Sequence, residues 1–502
     1  MTVASPREGH STDAGGTFEV NSVSDKVDAD PGDGVCLTVG GKCTLRAALQ
    51  ETNTLPGHQT VVLDNNYGYA VGIGACCEDE SLSQDLDITD DLTIKGSGMA
   101  ETAIFAAPAL VDRLIDVREG TQVVISDLTV KSLDSGGPMP QGEGCGGGIR
   151  NLGDLTLARV RVSDNLVRRS GGGVCNYGVL RVSDSVIKDN VAAFAGAGGG
   201  IVNYSGGLAV LERTTISNNR ADTLGGGGVA NYGTMILRDS VLFGNSTGGQ
   251  ASYGGGGILN GPSGSIQISN STISGNFTDG GRGGGGISNY DGGHVTAVNL
   301  TIAFNDSEVL GGGISTDADS TTTIVNTIVA ANENFDCRSG LDSVSPSSGG
   351  HNLDGDGSCQ LSGPSDLVGV DPLLSDLADN GGPTMTHALL AGSPATNAGD
   401  DARCPAWDQR GAPRPVGPVC DIGAYEFGAV VPTAGSLPGD VDCDGALTPF
   451  DELLLLRHVG SLAAAPCIEL GNLDCDGDSD LADARLLLRR LVGISVPECD
   501  SG

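Results

Sequence analysis

Between Gly146 and Asn332 the chain repeats one pattern seven times: a glycine run, an apolar residue, an Asn, then a β-rich run ending in a second Asn. The copies read GGGIRN (ending at Asn151), GGGVCN (Asn176), GGGIVN (Asn203), GGGVAN (Asn231), GGGILN (Asn260) and GGGISN (Asn289), with GGGIST (Thr316) as a degenerate seventh. The second Asn recurs at Asn165, Asn190, Asn219, Asn245, Asn276, Asn305 and Asn332, so copies lie 25 to 31 residues apart. A repeat of that length marks a solenoid, because one unit cannot bury its own apolar face and must stack on the next.

The register within each copy is fixed. Three residues before the second Asn stand Val162, Ile187, Ile216, Leu242, Ile273, Ile302 and Val329. Eight before it stand Leu157, Val182, Leu211, Leu237, Ile268, Ala297 and Ile324. Two apolar columns at constant offsets mean that each coil lays its side chains on its neighbour's. The runs between them are short, β-branched and bounded by glycine, which is the signature of strands. The expected fold is all-β: a right-handed parallel β-helix, the solenoid shape shared by pectate lyases. Glycine lets the chain turn sharply or pass close to its neighbours, and the Asn columns are placed to form polar ladders along the axis.

Composition agrees. The 81 glycines of 502 residues are periodic and paired with apolar columns, which separates them from low-complexity sequence. The net charge of −36 disfavours nucleic acid as a partner. Residues 145–332 hold 11 Lys/Arg and 13 Asp/Glu, a balance of −2, so the remaining −34 lies in the flanks. Fourteen Cys, several in close pairs, point to an oxidising compartment, and hence to a secreted or surface-attached chain. No apolar run is long enough to span a membrane, and MTVASPREGH has no signal-peptide core; the cysteines favour a removed signal over none.

Residues 17–57 contain a Pro-Gly-Asp-Gly turn, Cys36 and Cys43 around a Gly-Gly turn, and a short helix from about Leu45 to Asn53. Cys43-Thr44-Leu45-Arg46-Ala47-Ala48 closely resembles the CSLREA domain, which precedes β-helix repeats on bacterial exported proteins. The resemblance implies a helix capping the open end of the solenoid, with Arg46 in a structural role, since an uncapped coil exposes a strand edge. Residues 58–144 read as atypical first coils, and 58–380 as the extent of the β-helix. Cys76-Cys77 is expected to form disulfides to neighbouring loops, with Cys145 or Cys175 among the partners. In GGHNLDGDGSC, Asp354 and Asp356 have some character of a calcium loop, but a solvated turn is the preferred reading.

Residues 381–427 include Asp408-Gln409-Arg410-Gly411 and Asp421-Ile422-Gly423-Ala424-Tyr425-Glu426. They closely resemble the ending of the choice-of-anchor Q family of bacterial surface proteins. Beside that resemblance, Cys404 and Cys420 are expected to form a local disulfide, and Asp408 and Arg410 are read as a buried ion pair closing the last coil, with no chemistry assigned to them.

Beyond a Gly/Pro-rich linker (428–438) the periodicity changes. Two twelve-residue loops, 440–451 and 472–483, align at an offset of 32 residues. Each has oxygen ligands at positions one, three, five and nine, a backbone carbonyl at seven, Gly at six and an acid at twelve, the ligand pattern of a calcium loop. The calcium ligands are Asp440, Asp442, Asp444, Ala446, Thr448 and Asp451, and Asn472, Asp474, Asp476, Asp478, Asp480 and Asp483. Each loop runs into an apolar helix. Residues 439–502 closely resemble a type I dockerin module, a small α-helical domain that binds two calcium ions and attaches its chain to a cohesin partner. Positions ten and eleven, often a Ser-Thr recognition pair in that family, are Pro449-Phe450 and Leu481-Ala482, which leaves the cohesin type open. Cys443, Cys467, Cys475 and Cys499 allow three pairings.

Two columns bear on function. Six residues before the second Asn stand Arg159, Asp184, Arg213, Asp239, Asn270, Asn299 and Asn326, which read as a structural ladder of ion pairs continuing in Asn. Tyr177, Tyr204, Tyr232 and Tyr290 each follow the first Asn, a column that could bind sugar rings or simply stack. Two classes follow: a secreted, non-catalytic, carbohydrate-associated or adhesive β-helix held by its tail, or a polysaccharide lyase or glycoside hydrolase delivered to a cellulosome-like complex.

Overall fold

The computed structural model describes residues 16–431, apart from 65–66, 74–83, 108–109, 111–112, 133–144, 195, 249–252, 280–282, 309–310 and 338–341, together with 483, 486 and 487. The chain winds into a right-handed parallel β-helix. Each regular coil contributes a five-residue and a three-residue strand to one large sheet, a three-residue strand to a nine-stranded sheet, and a two-residue strand to a six-stranded sheet.

The two apolar columns stack as the repeat requires. Val162 pairs with Ile187, Ile187 with Ile216 and so on to Val329, and Leu157 leads through Val182 and Leu211 to Ile324. All are buried and belong to one continuous core. The Asn columns lie inside it as hydrogen-bonded ladders. Asn151 Nδ2 donates to Asn176 Oδ1 at 2.7 Å, and the chain continues through Asn203, Asn231 and Asn260 to Asn289. The second ladder runs from Asn165 to Asn332 with steps of 2.8 to 3.0 Å. From Asn190 onward each Oδ1 in it also accepts the backbone N–H of the preceding coil's Asn, and Asn165 Oδ1 accepts Ser132 N–H. The glycine runs turn between these ladders. Gly198 has φ +67°, and a Cβ on Gly199 would collide with the carbonyl oxygen of Gly227 in the next coil.

Strand β1 (Thr17–Val20) pairs in parallel with β2 (Gln59–Leu63), so the stack starts at residue 17 rather than 58. Between them, helix α1 (Leu45–Thr52) sits over the first coil, and its N-cap Thr44 accepts from Ala47 N–H. Arg46 grips Asp25 at 2.6 and 3.0 Å and donates to the carbonyls of Gln84 and Asp85. It holds the cap to the coil beneath, a structural role.

At the other end the expected closing coil is absent. The last parallel strand is Leu367–Val368, followed by an antiparallel pair, Leu374–Ala378 with Thr386–Leu389. Residues 384–427 instead run back along the outside of the large sheet. Asn270 Nδ2 donates to Trp407 O, Thr272 bonds Gln409, Ser274 bonds His387, and Ala424 N–H donates to Thr301. The Asp408–Arg410 pair is buried at 2.7 Å, as expected, but it braces this returning strap rather than the end of a coil.

Among the described residues there are four disulfides: Cys36–Cys43, Cys145–Cys175, Cys337–Cys359 and Cys404–Cys420. The last is the expected local pair. Cys145 and Cys175 bond each other, which corrects the expectation that either would receive Cys76 or Cys77; those two lie outside the described residues. Four bridges fit an extracellular protein, and among the described residues no helix is long and apolar enough to cross a membrane.

Candidate functional site

The charged column sits at the corner between the two strands that each coil gives to the large sheet. It begins one coil earlier than the repeat showed, at Asp127, and all eight members have φ between +44° and +58°. Asp and Asn tolerate this left-handed conformation through local hydrogen bonds, whereas arginine gains nothing from it directly. The two arginines are held by their neighbours. Arg159 makes a bidentate pair with Asp127 at 2.6 and 3.0 Å, and Arg213 one with Asp184 at 2.6 Å to each oxygen. The Arg213 side chain is only 9% exposed. Burial pushes the Asp239 carboxyl up to about 7, against the opposing hydrogen bond from Asn270 and the charge of Arg213. Asn299 and Asn326 donate to backbone carbonyls of the strap, and Asn270 to Trp407 O. The column is therefore a seam that pairs with itself at one end and with the strap at the other.

The tyrosine column lies outside the nine-stranded sheet, over a second apolar cluster of Cys145, Cys175, Val202, Ala230 and Leu259. Tyr177 and Tyr204 stack at 4.6 Å between centroids and 10° between planes, and Tyr204 and Tyr232 at 6.0 Å. Tyr290 is 8% exposed and stacks at 4.2 Å on Tyr253, which is 40% exposed and stands outside the Asn-Tyr pattern. Burial pushes the Tyr232 hydroxyl up to about 12, and the Tyr177 and Tyr290 hydroxyls also rise, chiefly from burial. Ring faces turned on one another form no broad sugar platform. The column seals the cluster beneath it, and Tyr177, 44% exposed at its end, is the most open ring of the four expected.

Among the described residues, two groups of three carboxylates converge to within 4.8 Å. Asp85, Asp87 and Asp116 lie under the N-terminal cap. Burial would raise the Asp116 carboxyl, but the hydrogen bonds and charge of Arg150, with Arg113 and Arg118, hold it below the ordinary range. Arg150 Nε donates to Asp116 at 2.8 Å, Arg118 donates at 2.8 Å, and Arg113 reaches both Asp85 and Asp116 at 3.4 Å. This is a neutralised ion-pair cluster.

Asp336, Asp354 and Asp356 form the second group, tied by the Cys337–Cys359 bridge. Asp336 ends the long Asn ladder: its Oδ1 accepts from Asn332 N–H and Nδ2 at 3.1 and 2.9 Å. Asp354 is fully buried and accepts from Gly357 and Cys359 N–H, which corrects the reading of a solvated turn. Burial, with the charge of its acidic neighbours, pushes Asp336 and Asp354 each up to about 6; hydrogen bonds from Ser358 outweigh burial and hold Asp356 low. A carboxyl raised in the folded state keeps its proton after the unfolded chain has lost it. The stability it lends is complete below about pH 4, is lost as pH rises towards 6, and does not return above that. Amides of residues 332–359 should therefore be better protected from hydrogen exchange, relative to those of the central coils, near pH 5 than near pH 7.5. Equal relative protection at both pH values would refute the assignment.

Of the twelve expected calcium ligands, only Asp483 is a described residue, buried at a helical position. The other eleven lie outside the described residues.

No family model matches the chain, and no curated protein matches it. Among solved structures it is similar to pectate lyase Pel9A, with 16% identity and a TM-score of 0.43 over 82% of this chain and 98% of that one. The A-module of the Azotobacter vinelandii mannuronan C-5 epimerase AlgE4 is similar at 18% identity and a TM-score of 0.38, over 64% of this chain and 91% of that one. The AlgE6 A-module from the same organism gives 16% and 0.34, over 64% and 90%.

Proposed function

We propose that this is a secreted or surface-attached, carbohydrate-associated or adhesive β-helix whose solenoid does no chemistry. Its C-terminal module, residues 439–502, is a dockerin that binds two calcium ions and docks on a cohesin partner. The observation that carries the non-catalytic half is the Arg213–Asp184 bidentate pair within a corner column of repeated charges. A hydrolase or lyase needs an acid or base free to exchange a proton with substrate, and these groups hold one another. The attachment half rests on six aligned ligand positions occurring twice in the tail.

If the pair is structural, Arg213→Ala should lower stability by about 1 to 2 kcal/mol, less than a fully buried pair would lose because Asp184 is partly exposed. Retention of polysaccharide by the variant should stay as in the parent. For the tail, the full chain should be held on an immobilised type I cohesin in calcium and released by chelator. Flow-through in the presence of calcium would sink the attachment.

A further inference from the structure

Outward residues of the three-residue strands of the large sheet, and of the matching ends of the strands Gln122–Lys131 and Asp154–Ser163, form two columns along the solenoid. One reads Thr129, Arg161, Val186, Thr215, Val241, Thr272, Thr301 and Ile328, and the other Lys131, Ser163, Lys188, Ser217, Phe243, Ser274, Ala303 and Ala330. The strap lies on the C-terminal half of this face, bonding Thr272, Ser274 and Thr301. On the N-terminal half, a groove of about 600 Å³ opens over Lys131, Arg161 and Lys188, with Glu101 and Asp164 at its walls.

The charges in this groove are not closed on one another. Lys188 is paired with Asp189 at 3.0 Å. Lys131 and Arg161 have no ion-pair partner among the described residues, and Arg161 Nε is buried without a hydrogen bond. Two cations one coil apart repel each other, and a ligand anion between them would relieve that. Elsewhere along the corner the chain answers each arginine with a carboxylate, as at Arg159 and Arg213. A chain with 63 acidic residues has ample carboxylate to do the same here.

We infer that this groove binds an acidic saccharide. The ligand carboxylate sits on the terminal guanidinium nitrogens of Arg161 and on Lys131, and its ring hydroxyls meet the acceptors Glu101 and Asp164. A guanidinium takes a planar carboxylate bidentately, which a neutral sugar cannot offer. The volume lies within the range of ligand pockets, and the open side suits a segment of a chain. This rests on the carbohydrate-associated reading above and gives it a ligand class and a place.

The test is calorimetric titration of the full chain with a galacturonate tetramer, its methyl ester, a neutral glucose tetramer and inorganic phosphate. The acidic tetramer should bind at least about tenfold more tightly than its ester, and Arg161→Gln should cost at least about tenfold, the loss of one charge-assisted bond. Lys131→Gln should weaken it in the same direction, while Arg220→Gln on the six-stranded sheet should leave it unchanged. Equal affinity for acid and ester, no effect of Arg161→Gln with the fold intact, or equal competition by phosphate would overturn the proposal. If the neutral tetramer still bound in those cases, the carbohydrate reading would survive without this groove. If no saccharide bound at all, both would fall.

Discussion

Asn219→Ala should lower the stability of the solenoid by about 2 to 5 kcal/mol, more than most single substitutions in a core of this kind. Asn219 is fully buried in the long ladder. Its Oδ1 accepts from Asn190 N–H at 3.0 Å and from Asn190 Nδ2 at 2.9 Å. Its own Nδ2 donates to Ile187 O at 2.9 Å and to Asn245 Oδ1 at 3.0 Å. Alanine removes all four, leaves the Asn190 amide without its acceptor and opens a small void. Each coil touches only its neighbours, so the damage should be local. Exchange protection should fall in coils 190 to 245 and change little near Asn305. A loss below about 1 kcal/mol would mean that the ladder is decoration on an apolar core that stands without it.

Calcium removal should have the other large effect, confined to the tail. If the tail is the proposed dockerin, each loop's four or more Asp and Asn side chains would surround one cation, and without it their charges would repel at close range. Metal binding and folding are then one equilibrium. The C-terminal module should unfold on chelation while the β-helix keeps its melting temperature. Titration of the full chain should show two calcium ions that residues 439–502 account for, and Asp451→Ala should weaken one of them only. Finding no calcium bound by the tail would remove the dockerin proposal.

The regular coils were legible because their signal is periodic. Columns such as Val162, Ile187 and Ile216 keep their offset from an Asn through loops of different length, and stacking demands that. Where the period fades, the reading stopped short. Strand β1 pairs across 43 residues in a coil without the glycine run of the repeat, and Asp127 heads the corner seam in another coil that lacks it. The strap was read as a last coil because its partners are distant in sequence: Trp407 meets Asn270 from 137 residues away, and no local pattern records such a contact. Tyr253 stacks on Tyr290 from a loop position outside the repeat. Arg161 and Lys131 looked ordinary, since a charge on an outward strand position is what any exposed sheet shows. Only the structure reveals that neither has an ion-pair partner among the described residues.

The most direct measurement is a cleavage time course. The purified full chain, with calcium, is incubated with uronate and neutral polysaccharides, and both new reducing ends and ultraviolet absorbance from unsaturated uronates are followed. A solenoid that binds without chemistry should leave both signals flat on every substrate. A rising signal that disappears in Arg213→Ala or Asp239→Ala, with the fold intact, would contradict it and make the corner column an active site.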